Sequence, residues 1–217
     1  MKADEKKTIY ELLKTASDNI CGYNSPSFSG EMPEFTDDNE VFVPRKTEIT
    51  QAAETKQEPQ NTQRSITLTD ITAKIAVCRR CQLCEHRTNT VPGTGSEHPA
   101  VLVVGEGPGA EEDMQGLPFV GPAGKLLDKM LAAIQLDRHV NCYIANIVKC
   151  RPPMNRTPAQ QEADACISFL EAQIHILKPK LILAAGKTAA LNLLKAAPDT
   201  PLWKMRGTFH DYNGIPL

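Results

Sequence analysis

The chain has 217 residues, 41% of them apolar, with 24 Lys and Arg against 26 Asp and Glu for a formal net charge of −2. That length suits one domain of ordinary size plus an appendage. No stretch is long and apolar enough to cross a membrane, and Met1-Lys2-Ala3-Asp4-Glu5-Lys6-Lys7 lacks a signal-peptide core, so a cytoplasmic location is expected.

Charge and composition divide the chain. Residues 1–64 hold 8 Lys/Arg against 12 Asp/Glu and are rich in Ser, Thr, Gln, Glu and Pro, whereas residues 65–217 hold 16 against 14. The first segment is expected to be an acidic, mostly disordered tail and the second a folded domain. Ile9, Leu12 and Leu13 at helical spacing predict one short amphipathic helix over residues 4–18, followed by a flexible linker over residues 22–64. Residues 65–77 predict a helix with Thr69 or Asp70 as its N-cap and Ile71 and Ile75 on one face, delivering the chain to Cys78.

Beyond it strands and helices alternate. Ala100-Val-Leu-Val-Val104 is a continuous apolar run ending in glycine, the pattern of a strand buried on both faces. Leu126, Leu127, Met130, Leu131 and Ile134 mark the next helix, and residues 143–148 a second strand. Thr157, with Pro158 at the first helical position and Gln160 closing a capping box, predicts a helix running to Leu177, with Ile167, Leu170, Ile174 and Leu177 inward. Residues 181–185 predict a third strand and residues 187–195 a last helix. Repeated β-α units imply a parallel, doubly wound sheet, whose ligand site lies at the carboxyl ends of the strands, in the loops after Val104, Val148 and Ala185.

Seven cysteines in a reducing compartment point to metal binding or catalysis before disulfides. Cys78 and Cys81 form a C-x2-C pair, and Cys150 and Cys166 follow within the alternating segment. Four thiolates can hold a tetrahedral zinc or a 4Fe-4S cluster; with one close pair and two scattered ligands, the spacing favours the cluster. Arg79, Arg80, Arg87, Lys149, Arg151 and Arg156 flank these cysteines and, if they face one way, form a phosphate-attracting patch; ordinary solvated charge is the alternative.

The loop Gly105-Glu-Gly-Pro-Gly-Ala-Glu-Glu-Asp113 fits the G-x-G-x-x-A spacing of a dinucleotide site, but Pro108 removes an N–H and three carboxylates crowd the place of a pyrophosphate. Glycines that admit a planar ligand, followed by carboxylates that orient water, suit hydrolysis better. Gly186-Lys187-Thr188 imitates the end of a phosphate-binding loop but lacks its earlier glycine, and is expected to be an ordinary strand-to-helix turn. Phe119, in the Gly/Pro-rich loop 116–124, is either a core anchor or a stacking platform for a base. Asn146 within an apolar strand is either a satisfied core amide or a reader of a base edge, since one carboxamide offers a donor and an acceptor side by side.

Taken in order, C-x2-C, G-E-G-P-G-x-E-E-D, G-x-P-F-V-G-x-A-G, N-I-V-K-C-R-P-P-x-N-R-x-P and a last Cys closely resemble the family 4 uracil-DNA glycosylases, the iron-sulfur type, over residues 70–217. The resemblance implies a three-layer α/β fold with a short parallel sheet between helices, and hydrolysis of the N-glycosidic bond of deoxyuridine in DNA for base-excision repair. It implies Cys78, Cys81, Cys150 and Cys166 as ligands of a structural 4Fe-4S cluster, with Cys84, Cys21 and Cys142 outside the set. Phe119 would stack on the flipped uracil, Asn146 would pair with its O4 and N3–H, and the backbone around Glu106 and Gly107 would donate to O2. Glu106 and Glu112 are the candidates to orient the attacking water, or, for Glu112, to crowd out a thymine methyl. The partner is uracil-containing DNA, met by a monomer.

The family carries a further motif, H-P-x-x-L-L-R, whose histidine stabilises the departing uracil; the sequence reaches Gly214-Ile-Pro-Leu217 without it. His98-Pro99-Ala100 copies its letters but precedes the first strand, and His210 falls in an expected hairpin. Lacking that histidine, the chain is expected to be a slow glycosylase or, alternatively, a uracil-DNA binder with weak or no activity. An enzyme that traps uracil covalently is disfavoured, because Lys149-Cys-Arg-Pro-Pro153 leaves no room for the inserted basic loop of that subgroup.

Overall fold

The computed structural model describes residues 66–217; the helix expected over residues 4–18 and the linker after it lie outside the described residues. Helix α1 spans Leu68–Ala76, and its cap lies two residues before Thr69, the earlier of the two expected. Thr67 is the N-cap: its hydroxyl oxygen accepts from the Asp70 N–H at 3.2 Å, while the Asp70 carboxylate accepts from the Thr67 N–H at 2.9 Å. Thr67 prevails over Thr69 because a carboxylate three residues on satisfies it in return. Ile71 and Ile75 are buried, as their spacing predicts.

Four strands form the central sheet, β1 (Thr94–Gly95), β2 (Val101–Gly105), β3 (Cys142–Asn146) and β4 (Leu181–Ala184), in the order β1-β3-β2-β4. β2 runs parallel to both β3 and β4, as expected, but the two-residue β1 adds an antiparallel edge that no apolar run announces. Because side chains alternate across a strand, Leu102, Val104, Tyr143 and Ala145 face one side, and Val101, Val103, Cys142 and Ile144 the other. The first set packs against Leu170, Ile174 and Leu177 of α4 (Gln160–Leu177), the second against Leu127 and Leu131 of α3 (Pro122–Ala133). Helices thus cover both faces of a short, mainly parallel sheet, the expected three-layer α/β arrangement. A last helix, α5 (Lys187–Leu194), follows β4, and a hairpin of β5 (Asp211–Tyr212) and β6 (Ile215–Pro216) follows it.

Several boundaries depart from expectation. Residues Ala110–Gln115, which read as loop, form helix α2, with Glu111, Glu112 and Asp113 in its first turn, where negative charge favours a helix. Helix α4 begins at Gln160, after Thr157 and Pro158, and the carboxylate that reaches back is Glu162, accepting from the Ala159 N–H at 2.8 Å. Arg156 binds the same carboxylate at 2.7 and 2.8 Å, which fixes it over Ala159. In α3, Leu127 and Leu131 are buried whereas Leu126 is exposed.

Candidate active site

The parallel register aligns Gly105, the end of β2, with Asn146, the end of β3. The pairing continues past the strands: Ile147 N–H donates to Gly105 O at 2.9 Å and Val148 N–H to Glu106 O at 3.2 Å. At this edge Gly105 leaves the backbone bare. A Cβ on it would lie 2.5 Å from Asn146 Oδ1 and 2.5 Å from Phe119 Cζ, so only glycine lets the carboxamide and the ring meet there. Asn146 is 1% exposed, and its Oδ1 is the buried side-chain atom without a hydrogen-bond partner among the described residues. A buried acceptor left open costs stability, and such exceptions call for a role.

Phe119 adopts φ +53, a left-handed conformation that is strained for an aromatic residue, and its surroundings hold it there. Arg138 Nη2 donates to Phe119 O at 2.8 Å and Nη1 to Pro118 O at 3.0 Å, while Asp128 anchors the guanidinium at 2.6 Å. Next along the loop, Glu112 Oε1 accepts from the N–H groups of Val120 and Gly121, both at 2.9 Å, and Oε2 accepts from Gly109 at 3.1 Å. Burial pushes the Glu112 carboxyl up, but the N–H groups of Gly121, Val120 and Gly109 outweigh it and hold it below its ordinary value. Both oxygens are therefore engaged in joining the loop before α2 to the start of α3. Gly124 completes the brace, since a Cβ there would meet Phe119 O at 1.9 Å.

Glu106 is half-buried just past β2, and the Thr188 hydroxyl donates to its Oε2. Thr188 stands in the first turn of α5, after Gly186 at φ +108. The turn that looked ordinary in sequence thus holds the Glu106 carboxylate, a partnership between residues 82 positions apart. Gly107 is equally confined, because a Cβ there would meet Val148 Cγ2 at 2.8 Å. Asp113 accepts from the N–H groups of Thr88 and Asn89, fixing the loop that follows the cysteine pair.

Cys78, Cys81, Cys150 and Cys166 line one cavity between α1 and α4, and Cys84 joins them on its wall. Among the described residues no three His, Cys, Asp or Glu side chains are arranged to hold a metal ion. Five cysteines on one cavity wall are a donor set that suits a soft metal, zinc or an iron-sulfur cluster. Burial pushes the Cys150 thiol up to about 11, against the pull of Arg87, whose Nη1 donates to Cys150 Sγ at 3.0 Å. Cys142 is buried in β3, away from the cavity.

The cations around the cavity do not form one solvent-facing patch. Lys149 is 1% exposed, and burial pushes its ammonium down to about 8. Arg87 turns inward, Arg156 is paired with Glu162, and Arg151 donates to Asn155 Oδ1 at 2.8 Å. Arg80 lies 4.0 Å over the Phe169 ring. His98 is exposed before the start of β2, and His210 Nε2 donates to Met205 O at 3.0 Å.

The family model of the Uracil DNA glycosylase superfamily matches residues 92–215. The chain is similar to the type-4 uracil-DNA glycosylase of Archaeoglobus fulgidus, 47% identical over 57% of this chain and 61% of the relative. Its similarity to that of Pyrobaculum aerophilum is 48% over 54% and 60%, and to that of Thermotoga maritima 44% over 66% and 74%. The chain thus spans about three fifths of the length of the first two.

Proposed function

The chain belongs to the uracil-DNA glycosylase superfamily, and from that membership we propose that it hydrolyses the N-glycosidic bond of deoxyuridine in DNA, the opening step of base-excision repair. The observation that carries the proposal is the open, buried Oδ1 of Asn146 beside the Phe119 ring. A uracil flipped out of the helix presents a planar face to Phe119 and, along one edge, O4 and N3–H to Asn146. Oδ1 then accepts from N3–H and Nδ2 donates to O4, which satisfies the acceptor that the protein alone leaves open.

Cleavage breaks the bond between N1 and C1′, and the base leaves as an anion. Main-chain N–H groups at Glu106 and Gly107 are suited to receive the charge on O2, as fixed donors do at developing oxyanions. Glu106, steadied by Thr188, orients the water that adds to C1′. Glu112 acts through the loop it joins, keeping Phe119 in place.

Cys78, Cys81, Cys150 and Cys166 are proposed to hold a 4Fe-4S cluster. Bound there, the group supplies a structural tie between α1, the loop after β3 and α4; hydrolysis transfers no electrons.

The test is release of uracil from a labelled oligonucleotide carrying one deoxyuridine, read as alkali-sensitive strand cleavage, with a deoxycytidine oligonucleotide beside it. Uracil-dependent cleavage that slows sharply but measurably in Asn146→Ala supports the proposal. Equal cleavage of both oligonucleotides, or none, overturns it.

A further inference from the structure

Lys149 is among the largest fully buried side chains of the domain, and neither partner of its ammonium carries a charge. Nζ donates to the main-chain oxygen of Asn146 and to Gln173 Oε1, both at 2.8 Å. Gln173 is itself fixed, its Nε2 donating to Pro92 O at 2.8 Å. A charge so placed is expensive unless something nearby balances it.

The balance lies on the other side of the same residue. Lys149 also lines the cavity of Cys78, Cys81, Cys150 and Cys166. Cysteines that bind metal do so as thiolates, so an occupied site presents to this ammonium the negative charge its hydrogen-bond partners lack. One side chain therefore borders the thiol cavity and grips the peptide that carries Asn146, whose carboxamide has its Oδ1 open.

We propose that Lys149 is a positioning residue that couples the thiolate site to uracil recognition, aligning Asn146 by binding its carbonyl while answering the charge of the ligated cysteines. The proposal rests on the glycosylase reading above. Asn146 ends β3, and the three residues from it to Lys149 turn back so that Nζ closes a ring onto the Asn146 oxygen. Tilting that peptide re-aims the carboxamide; the ammonium resists the tilt.

The test uses the full chain with its iron bound, comparing wild type, Lys149→Met, Asn146→Ala and the double variant. Lys149→Met is expected to keep iron and sulfide, to lower uracil release about 10–100-fold, and to add nothing further to Asn146→Ala, because both changes remove one alignment. It is also expected to move the reduction potential of the cluster to a more negative value, since a buried positive charge beside it favours the added electron. A lysine whose charge did not face the occupied site would leave that potential unmoved. Losses that multiply in the double variant, or an unchanged potential, overturn the proposal. Should Lys149→Met not fold, Gln173→Met keeps the ammonium but frees one anchor; a loss of uracil release that does not multiply with Asn146→Ala supports the coupling, and a wild-type rate refutes it. Wild-type protein that holds iron but releases no uracil overturns the glycosylase reading instead, while the shift in potential still reports on the charge contact.

Discussion

Arg138 Nη2 donates to the carbonyl oxygen of Phe119 at 2.8 Å, holding a left-handed aromatic residue from a loop beyond α3. The same guanidinium takes Pro118 O and Asp128, so three contacts converge on a side chain only 11% exposed. Arg138→Met is expected to cost about 1–3 kcal/mol, because it strips partners from the carbonyls of the loop. Uracil release should fall with it, by up to about 10²-fold if the ring moves by about 1 Å. Arg138→Lys should not restore the rate, since one ammonium cannot reproduce the planar fork. Urea unfolding and release assays on both variants check this.

Glu112 should behave as a brace for the same loop. A glutamine at 112 offers one acceptor oxygen where two now serve three N–H groups, and loss of such charge-assisted bonds costs about 1–3 kcal/mol. Because the folded-state value of Glu112 is depressed, its stabilisation is present above the unfolded value of about 4.3 and is lost as pH falls through the lower folded value. The stability gap between wild type and Glu112→Gln should therefore be full at pH 7 and close below about pH 4. Unfolding curves across that range test the sign.

Thr188→Val removes the hydroxyl that holds Glu106 Oε2. If Glu106 orients the water, single-turnover release should slow by about tenfold with little change in DNA affinity, the pattern of an interaction made in the transition state. Thr188→Ser keeps the donor and should keep the rate.

Much of this site was legible because it is built from local patterns. Apolar runs located the three parallel strands, and an amide within the second singled out Asn146, although that strand ends at Asn146 and not at the expected Val148. Arg138, Thr188 and Lys149 were not legible in their roles, since their partners Phe119, Glu106 and Gln173 lie 19, 82 and 24 positions away and only the folded chain joins them. Helix α2 was missed because six residues are too few to show a helical period, and its glycine-rich approach looks like loop. Lys149 counted as a surface cation for a similar reason. Its position beside Cys150 suggests a basic patch, whereas the ladder past Asn146 turns it inward.

Cys84 lines the thiol cavity yet lies outside the proposed ligand set. Cys84→Ala should retain iron and acid-labile sulfide in anaerobically purified protein. Cys150→Ala should lose both and, with them, much of the fold, because ligand binding energy is folding energy at such sites. Stoichiometric zinc without sulfide in the wild type would contradict the assignment.

The most direct measurement is the single-turnover release of uracil and of cytosine by wild type and Asn146→Asp on matched oligonucleotides. An aspartate offers acceptors only, so it should lose uracil by about 1–3 kcal/mol, roughly 5–150-fold, while cytosine, with its N4 donor, gains ground. A wild-type rate for uracil in Asn146→Asp, with no gain for cytosine, would contradict the account of Asn146 as the reader of the base.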